Sequence, residues 1–160
     1  MSYLIDGNNF IGYLSPNELR NPQSKRSLAS QALIFQHMKR TKVTLVFDGP
    51  PDFHLTGKAS GRKFFSVFYT PIDQNADSLI KEIIARQTDR RWLFVVSSDR
   101  EIRSFAQKHK AKTLSCREFN LLLKQTLKRY KKIQESRKET ALPSPLEVNH
   151  WLDIFKSKND

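Results

Sequence analysis

The strongest constraint on this chain is an alternation. Five short runs rich in β-branched and aromatic residues, YLID (3–6), VTLVFD (43–48), FFSVFYT (64–70), WLFVVS (92–97) and AKTLS (111–115), are separated by stretches with helical spacing. The runs read as short buried strands. Residues 24–39 place Leu28, Ala32, Phe35 and Met38, with Ala29 and Leu33, on one apolar face; 77–87 gather Leu79, Ile80, Ile83 and Ile84; 100–109 gather Ile102, Phe105 and Ala106. Strands that alternate with helices form a parallel sheet covered on both faces. A chain of 160 residues suffices for one such domain, burying roughly two-thirds of its unfolded surface.

The longest helix candidate runs from Glu118 to about Glu139. Phe119, Leu122, Leu123, Leu127 and Tyr130 form its apolar stripe, and Lys124, Lys128, Arg129, Lys131 and Lys132 fill the other side. Ser115 is placed to cap it, with Glu118 three residues on returning a bond. The ALPSP stretch (141–145) then breaks the chain. A last helix over about 146–156, carrying Leu146, Trp151, Leu152 and Phe155, is expected to fold back onto the body, with Trp151 and Phe155 as core anchors. The domain reading is therefore 1–140, with 141–160 a helical extension on the same domain.

Charge narrows the function. The formal net charge is +12, and residues 103–138 hold twelve Lys and Arg against Glu118 and Glu135. A concentration of that kind attracts polyanions through counterion release, although a charge run can also be a merely solvated face. The loop GPPDFHLTGKASGRK (49–63) is the one long irregular segment, and its Lys58, Arg62 and Lys63 suit a phosphate backbone. Arg100, next to Asp99, joins the expected RNA contacts. A plain surface loop would look the same.

Other classes fit less well. Cys116 is the lone cysteine, which excludes an internal disulfide and a cysteine zinc site, and the four histidines show no ligand spacing. No apolar run is long enough to span a bilayer, and no signal-type segment precedes the first strand, so a cytoplasmic protein without membrane contact is expected. Neither G-x-x-x-x-G-K-[ST], nor G-x-G-x-x-G after a strand, nor G-x-S-x-G occurs. A phosphatase with an aspartyl nucleophile would want a second acid two residues on, where Asn8 stands. No small-molecule cofactor is expected.

Four aspartates are the candidate chemistry. Asp6 and Asp48 end the first two strands, Asp99 follows the fourth, and Asp77 opens a helix after the third. In an open parallel sheet, ligands bind outside the carboxyl ends of the strands, where the strand order switches. Each aspartate alone has a plainer account as a turn or cap residue. Together they would repel one another unless a cation or proton intervened. Oxygen donors without cysteine or paired histidine point to Mg²⁺ or Mn²⁺. Such an ion can activate water at a phosphodiester, and a basic surround would hold the rest of the polyanion. Gly7 would let the backbone bend away behind Asp6.

LIDGNN, VFDG, NADSLI, VVSSDREI and LSCREF, in this order over roughly residues 3–140, resemble the NYN branch of the PIN-like nucleases, and within it the YacP type of bacterial endoribonuclease. The resemblance implies a PIN-like three-layer α/β/α sandwich around a central, mainly parallel five-stranded sheet. It also implies metal-dependent cleavage of RNA. Asp6, Asp48, Asp77 and Asp99 would be catalytic, with Asp6, Asp77 and Asp99 holding Mg²⁺ or Mn²⁺ and Asp48 a ligand or water-orienting group. Asn8, Asn9, Gln74 and Ser98 would support them. RNA, mRNA in particular, is the implied partner, with the translating ribosome beside it. The chain departs from the family at Gln74, where relatives tend to have a glutamate; Asp73 is adjacent. That departure keeps open a second reading, a PIN-like RNA- or ribosome-binding module that cleaves little.

Overall fold

The computed structural model describes residues 1–55, 62–71 and 73–139. Lys58 and the expected helix over 146–156, with Trp151 and Phe155, lie outside the described residues. The strands are β1 (Ser2–Asp6), β2 (Lys42–Phe47), β3 (Phe65–Tyr69), β4 (Leu93–Val96) and β5 (Lys112–Leu114). They form one sheet of order β3-β2-β1-β4-β5, parallel at every pairing. The helices are α1 (Gly7–Leu14), α2 (Pro22–Lys39), α3 (Ala76–Arg86), α4 (Arg100–Lys108) and α5 (Cys116–Glu139).

Strand alternation sorts the core into two layers. Tyr3, Ile5, Val43, Leu45 and Phe47 point to one face, where they meet Phe10 of α1, Leu28, Ala32 and Phe35 of α2, and Phe119 and Leu123 of α5. Leu4, Val46 and Val95 point to the other, against Ile80 and Ile84 of α3 and Ile102 and Ala106 of α4. The result is an α/β/α sandwich, as the alternation predicts.

Helix boundaries follow local chemistry. Asn21 accepts from the Gln23 amide (3.0 Å) before Pro22 opens α2, and Arg40 ends that helix in the left-handed region at φ 50°. The capping box on α5 is closed in both directions: Glu118 accepts from the Ser115 amide (2.6 Å), and the Ser115 hydroxyl accepts from the Glu118 amide (3.2 Å).

Two segments depart from expectation. The residues after β1 form a helix rather than a bend. Gly7 is there for close approach, because a Cβ would strike the Phe47 ring and come within 2.9 Å of the Val46 carbonyl oxygen. The loop after Asp48 is anchored in its first part: residues 53–55 make a helical turn, Leu55 is fully buried in the core, and Asp52 pairs with Arg26 at 2.7 Å.

Candidate active site at the carboxyl edge of the sheet

The strand order reverses between β1 and β4, and there the acidic residues gather. Register sets the first of them. Ile5 lies beside Val96, so Asp6 is level with Ser97, and on its other side Asp6 lies beside Val46, two residues before Asp48.

Asp6 is nearly inaccessible at 4% exposure. Its Oδ1 accepts from the Asn9 amide (3.3 Å), capping α1, and its Oδ2 accepts from the Ser97 hydroxyl (3.1 Å). Burial pushes its pKa up to about 6; the two hydrogen bonds oppose that rise, while the charges of Asp77 and Asp48 add to it.

Asp48 is held by backbone and side chain. Its Oδ1 accepts from the Ala76 amide at 2.7 Å and from the buried Thr70 hydroxyl at 3.4 Å. Asn8 Oδ1 accepts from the Asp48 amide at 3.1 Å, and the Asp48 carbonyl accepts from Lys25 Nζ at 2.8 Å. Asp99 caps α4 through Oδ1, which accepts from the amides of Glu101 (2.8 Å) and Ile102 (3.0 Å).

Asp77 sits in the first turn of α3, where Asn75 takes the capping role by accepting from Ser78 (2.9 Å). Among the described residues no hydrogen bond engages the Asp77 carboxylate. Burial raises its pKa, and Asp99 and Asp48 raise it further, while Lys81 opposes them. Lys81 itself pairs with Glu101.

A second layer joins the strands behind the carboxylates. The side-chain oxygen Oδ1 of Asn9 accepts from the Ser98 amide (2.8 Å), the Ser97 hydroxyl (3.4 Å) and the Cys116 thiol (3.0 Å). Ser97 Oγ also accepts from the Asp99 amide, and Ser98 Oγ accepts from the Cys116 amide, both at 3.1 Å. Asn8 and Asn9 thus bind the backbone amides of Asp48 and Ser98 beside the aspartates.

Ser97, next to the expected support residue Ser98, supplies the hydroxyl on Asp6, while Ser98 Oγ binds the Cys116 amide. Ser97, Thr70, Lys25 and Cys116 were all missed. A serine two residues before Asp99 was the available signal for the first, once the register was known. Gln74 is exposed, and its amide donates to the Pro71 carbonyl at 3.0 Å. Among the described residues, no hydrogen bond links its side chain to the aspartates.

The donor set suits a hard cation in kind: carboxylate oxygens that retain acceptor capacity beyond their caps, with neighbouring aspartates raising the pKa of Asp6 and of Asp77. In spacing it is open. Among the described residues no three His, Cys, Asp or Glu side chains are close enough to hold one ion together. A Mg²⁺-type ion is usually held by one or two carboxylates, with water and substrate phosphate completing its shell. The arrangement fits that habit.

The expected RNA contacts separate into two groups. Arg100 is exposed beside Asp99. Arg62 is half-buried, and Lys63 is exposed over the Phe64 ring. Lys124, Lys128, Arg129, Lys131 and Lys132 are exposed on α5, but that helix leaves the acidic edge at Cys116. At Tyr130 it packs on Ile34 and Met38, near the end of α2. Twelve to sixteen residues of helix place Lys128 to Lys132 about 18–24 Å from its start.

An open parallel α/β/α sandwich with aspartates converging at its switch point defines the PIN-like class. The profile of the YacP-like NYN domain matches residues 3–153, and the chain belongs to that nuclease family. Among solved structures, the chain is similar to Rae1 (YacP) from Bacillus subtilis at 18% identity and a TM-score of 0.71, covering 99% of this chain and 92% of that one. The W164L mutant of Rae1 aligns at 19% identity with a TM-score of 0.65, covering 94% and 89%. No curated protein matches the chain in sequence. Among the described residues, no helix is long and apolar enough to cross a membrane.

Proposed function

We propose that the protein is a Mg²⁺- or Mn²⁺-dependent endoribonuclease that hydrolyses RNA phosphodiester bonds at the carboxyl edge of the sheet. One observation supports the reading: at the strand-order switch Asp77 and Asp48 add to the cost of charging Asp6, and Asp99 and Asp48 add to that of charging Asp77. Asp6, Asp48 and Asp99 also hold helix N-termini, but carboxylates that raise each other's charging cost across separate segments suit a cation-dependent reaction.

Among the described residues no hydrogen bond engages the Asp77 carboxylate, and Asp6 and Asp99 keep acceptor capacity; one or two of these three would hold the ion, with water and substrate phosphate completing its shell. The bound ion supplies charge neutralisation at the phosphodiester and activation of water. Asp48, fixed by Ala76 and Thr70, is placed to orient that water. Asn9 and Ser97 keep Asp6 and Asp99 at a fixed separation. The +12 charge supports RNA as substrate; mRNA on the ribosome and a cytoplasmic location complete the proposal.

Cleavage of a single-stranded RNA with and without Mn²⁺ tests it. Asp6→Asn keeps the cap on α1 and is expected to slow cleavage on the order of 100-fold, the scale for removing one pre-placed electrostatic group. Wild-type rates in that variant would overturn the assignment. Gln74, standing where relatives tend to carry an acid, favours a second reading: a binding module with little cleavage. Calorimetric titration separates the two, since tight RNA binding without binding of millimolar Mg²⁺ or Mn²⁺ would select the module. Cleavage of DNA ranks last, because among the described residues no added element suits a DNA junction.

A further inference from the structure

Beside the acidic edge lies a groove of about 530 Å³ that none of the preceding roles uses. Its walls are the turn carrying Leu19 and Arg20, the first turns of α2, and residues 49–52 after β2; Tyr69 from the end of β3 also lines it. Asn8 and Asp48 line it as well, so it opens directly onto the aspartate cluster.

The walls are built to hold their shape. Glu18 accepts from Asn21 Nδ2 and Ser24 Oγ, both at 2.7 Å, which fixes the turn before α2. Arg26 pairs with Asp52 across the groove. Lys25 is half-buried, bonded to the Asp48 carbonyl, with its Nζ 5.6 Å and 5.9 Å from the ring centres of Phe47 and Tyr69. Leu19, Pro50, Pro51 and Tyr69 thus share the groove with the cations Arg20 and Lys25 and with the carboxylates of Asp48 and Asp52, and Lys25 lies beside the Tyr69 ring.

A duplex cannot present a base face to such a groove, because its bases are stacked on one another. An unpaired nucleotide offers a flat apolar face beside an anionic phosphate. We propose that this groove receives one unpaired nucleotide adjoining the cleaved phosphodiester, its base against Leu19, Pro51 and Tyr69 and its phosphate at Arg20 and Lys25. The inference rests on reading the acidic edge as the place where RNA is cut.

Photocrosslinking tests it without relying on cleavage. A short single-stranded RNA containing 4-thiouridine is irradiated with the full chain carrying Asp77→Asn, so that the RNA stays whole, and the crosslinked peptides are mapped by mass spectrometry. Crosslinks within residues 19–26 or 49–52 are expected. Adding Leu19→Ser and Arg20→Glu, with folding checked by circular dichroism, is expected to remove those crosslinks and weaken binding about tenfold, the scale of one lost base stack.

Crosslinks confined to other surfaces, or binding unchanged by the two substitutions, would overturn the groove as a nucleotide site. If wild-type chain cuts RNA while crosslinks fall elsewhere, the groove inference alone fails. If crosslinks map to the groove but no metal restores cutting, the groove stands and the nuclease reading fails.

Discussion

Asp6 is a residue whose charge works against the fold. In the folded chain it keeps its proton up to about pH 6, against 3.8 when unfolded, because burial and the neighbouring aspartates disfavour the anion. Its contribution to stability is therefore full below about pH 4 and is lost as pH rises through 6, an effect of up to about 3 kcal/mol. Asp6→Asn removes that loss. Urea unfolding is expected to show the variant more stable than wild type at pH 7–8, with the two converging towards pH 4. Divalent cation should restore stability to wild type and much less to the variant. An unchanged difference across that pH range would mean that Asp6 is not held at high pKa. The aspartates were legible in the sequence because strand ends can be read from composition. Ser97 was not, because two adjacent serines become distinguishable only when strand register shows which lies level with Asp6.

Among the elements, α1 is the least legible. Gly7, Asn8 and Asn9 are poor helix formers, so the stretch reads locally as a turn. It becomes a helix because Asp6 caps it and because Phe10 and Ile11 are buried, so tertiary packing overrides propensity. The direct passage from β1 into α1 brings the backbone hard against Phe47. Gly7→Ala is accordingly expected to cost about 1–3 kcal/mol as the crowded residues shift, measurable by chemical denaturation. A neutral substitution would contradict the close approach at that junction. By contrast, β1, β2, α3 and α5 were readable nearly to their ends, since each keeps its period over its whole length and α5 carries its own capping box.

The whole molecule separates its charges. The aspartates collect at the carboxyl edge, while the basic stretch of α5 runs about 18–24 Å away towards the other end of the sheet. Charge alone could not reveal that separation, because it depends on α5 running back along α2. Reversing Lys128, Arg129, Lys131 and Lys132 is expected to flatten the salt dependence of binding to long RNA. A short oligonucleotide held only at the acidic edge should still be cut at the wild-type rate. An unchanged salt slope would mean that this face is only solvated. The central claim is that strand order brings four dispersed aspartates to one edge, where one or two of them bind a cation. Anomalous diffraction from a crystal soaked in millimolar Mn²⁺ tests it most directly. The account predicts Mn²⁺ at the carboxyl edge, within inner-sphere distance of at least one of Asp6, Asp48, Asp77 and Asp99; Mn²⁺ bound only elsewhere, or not at all, would contradict it.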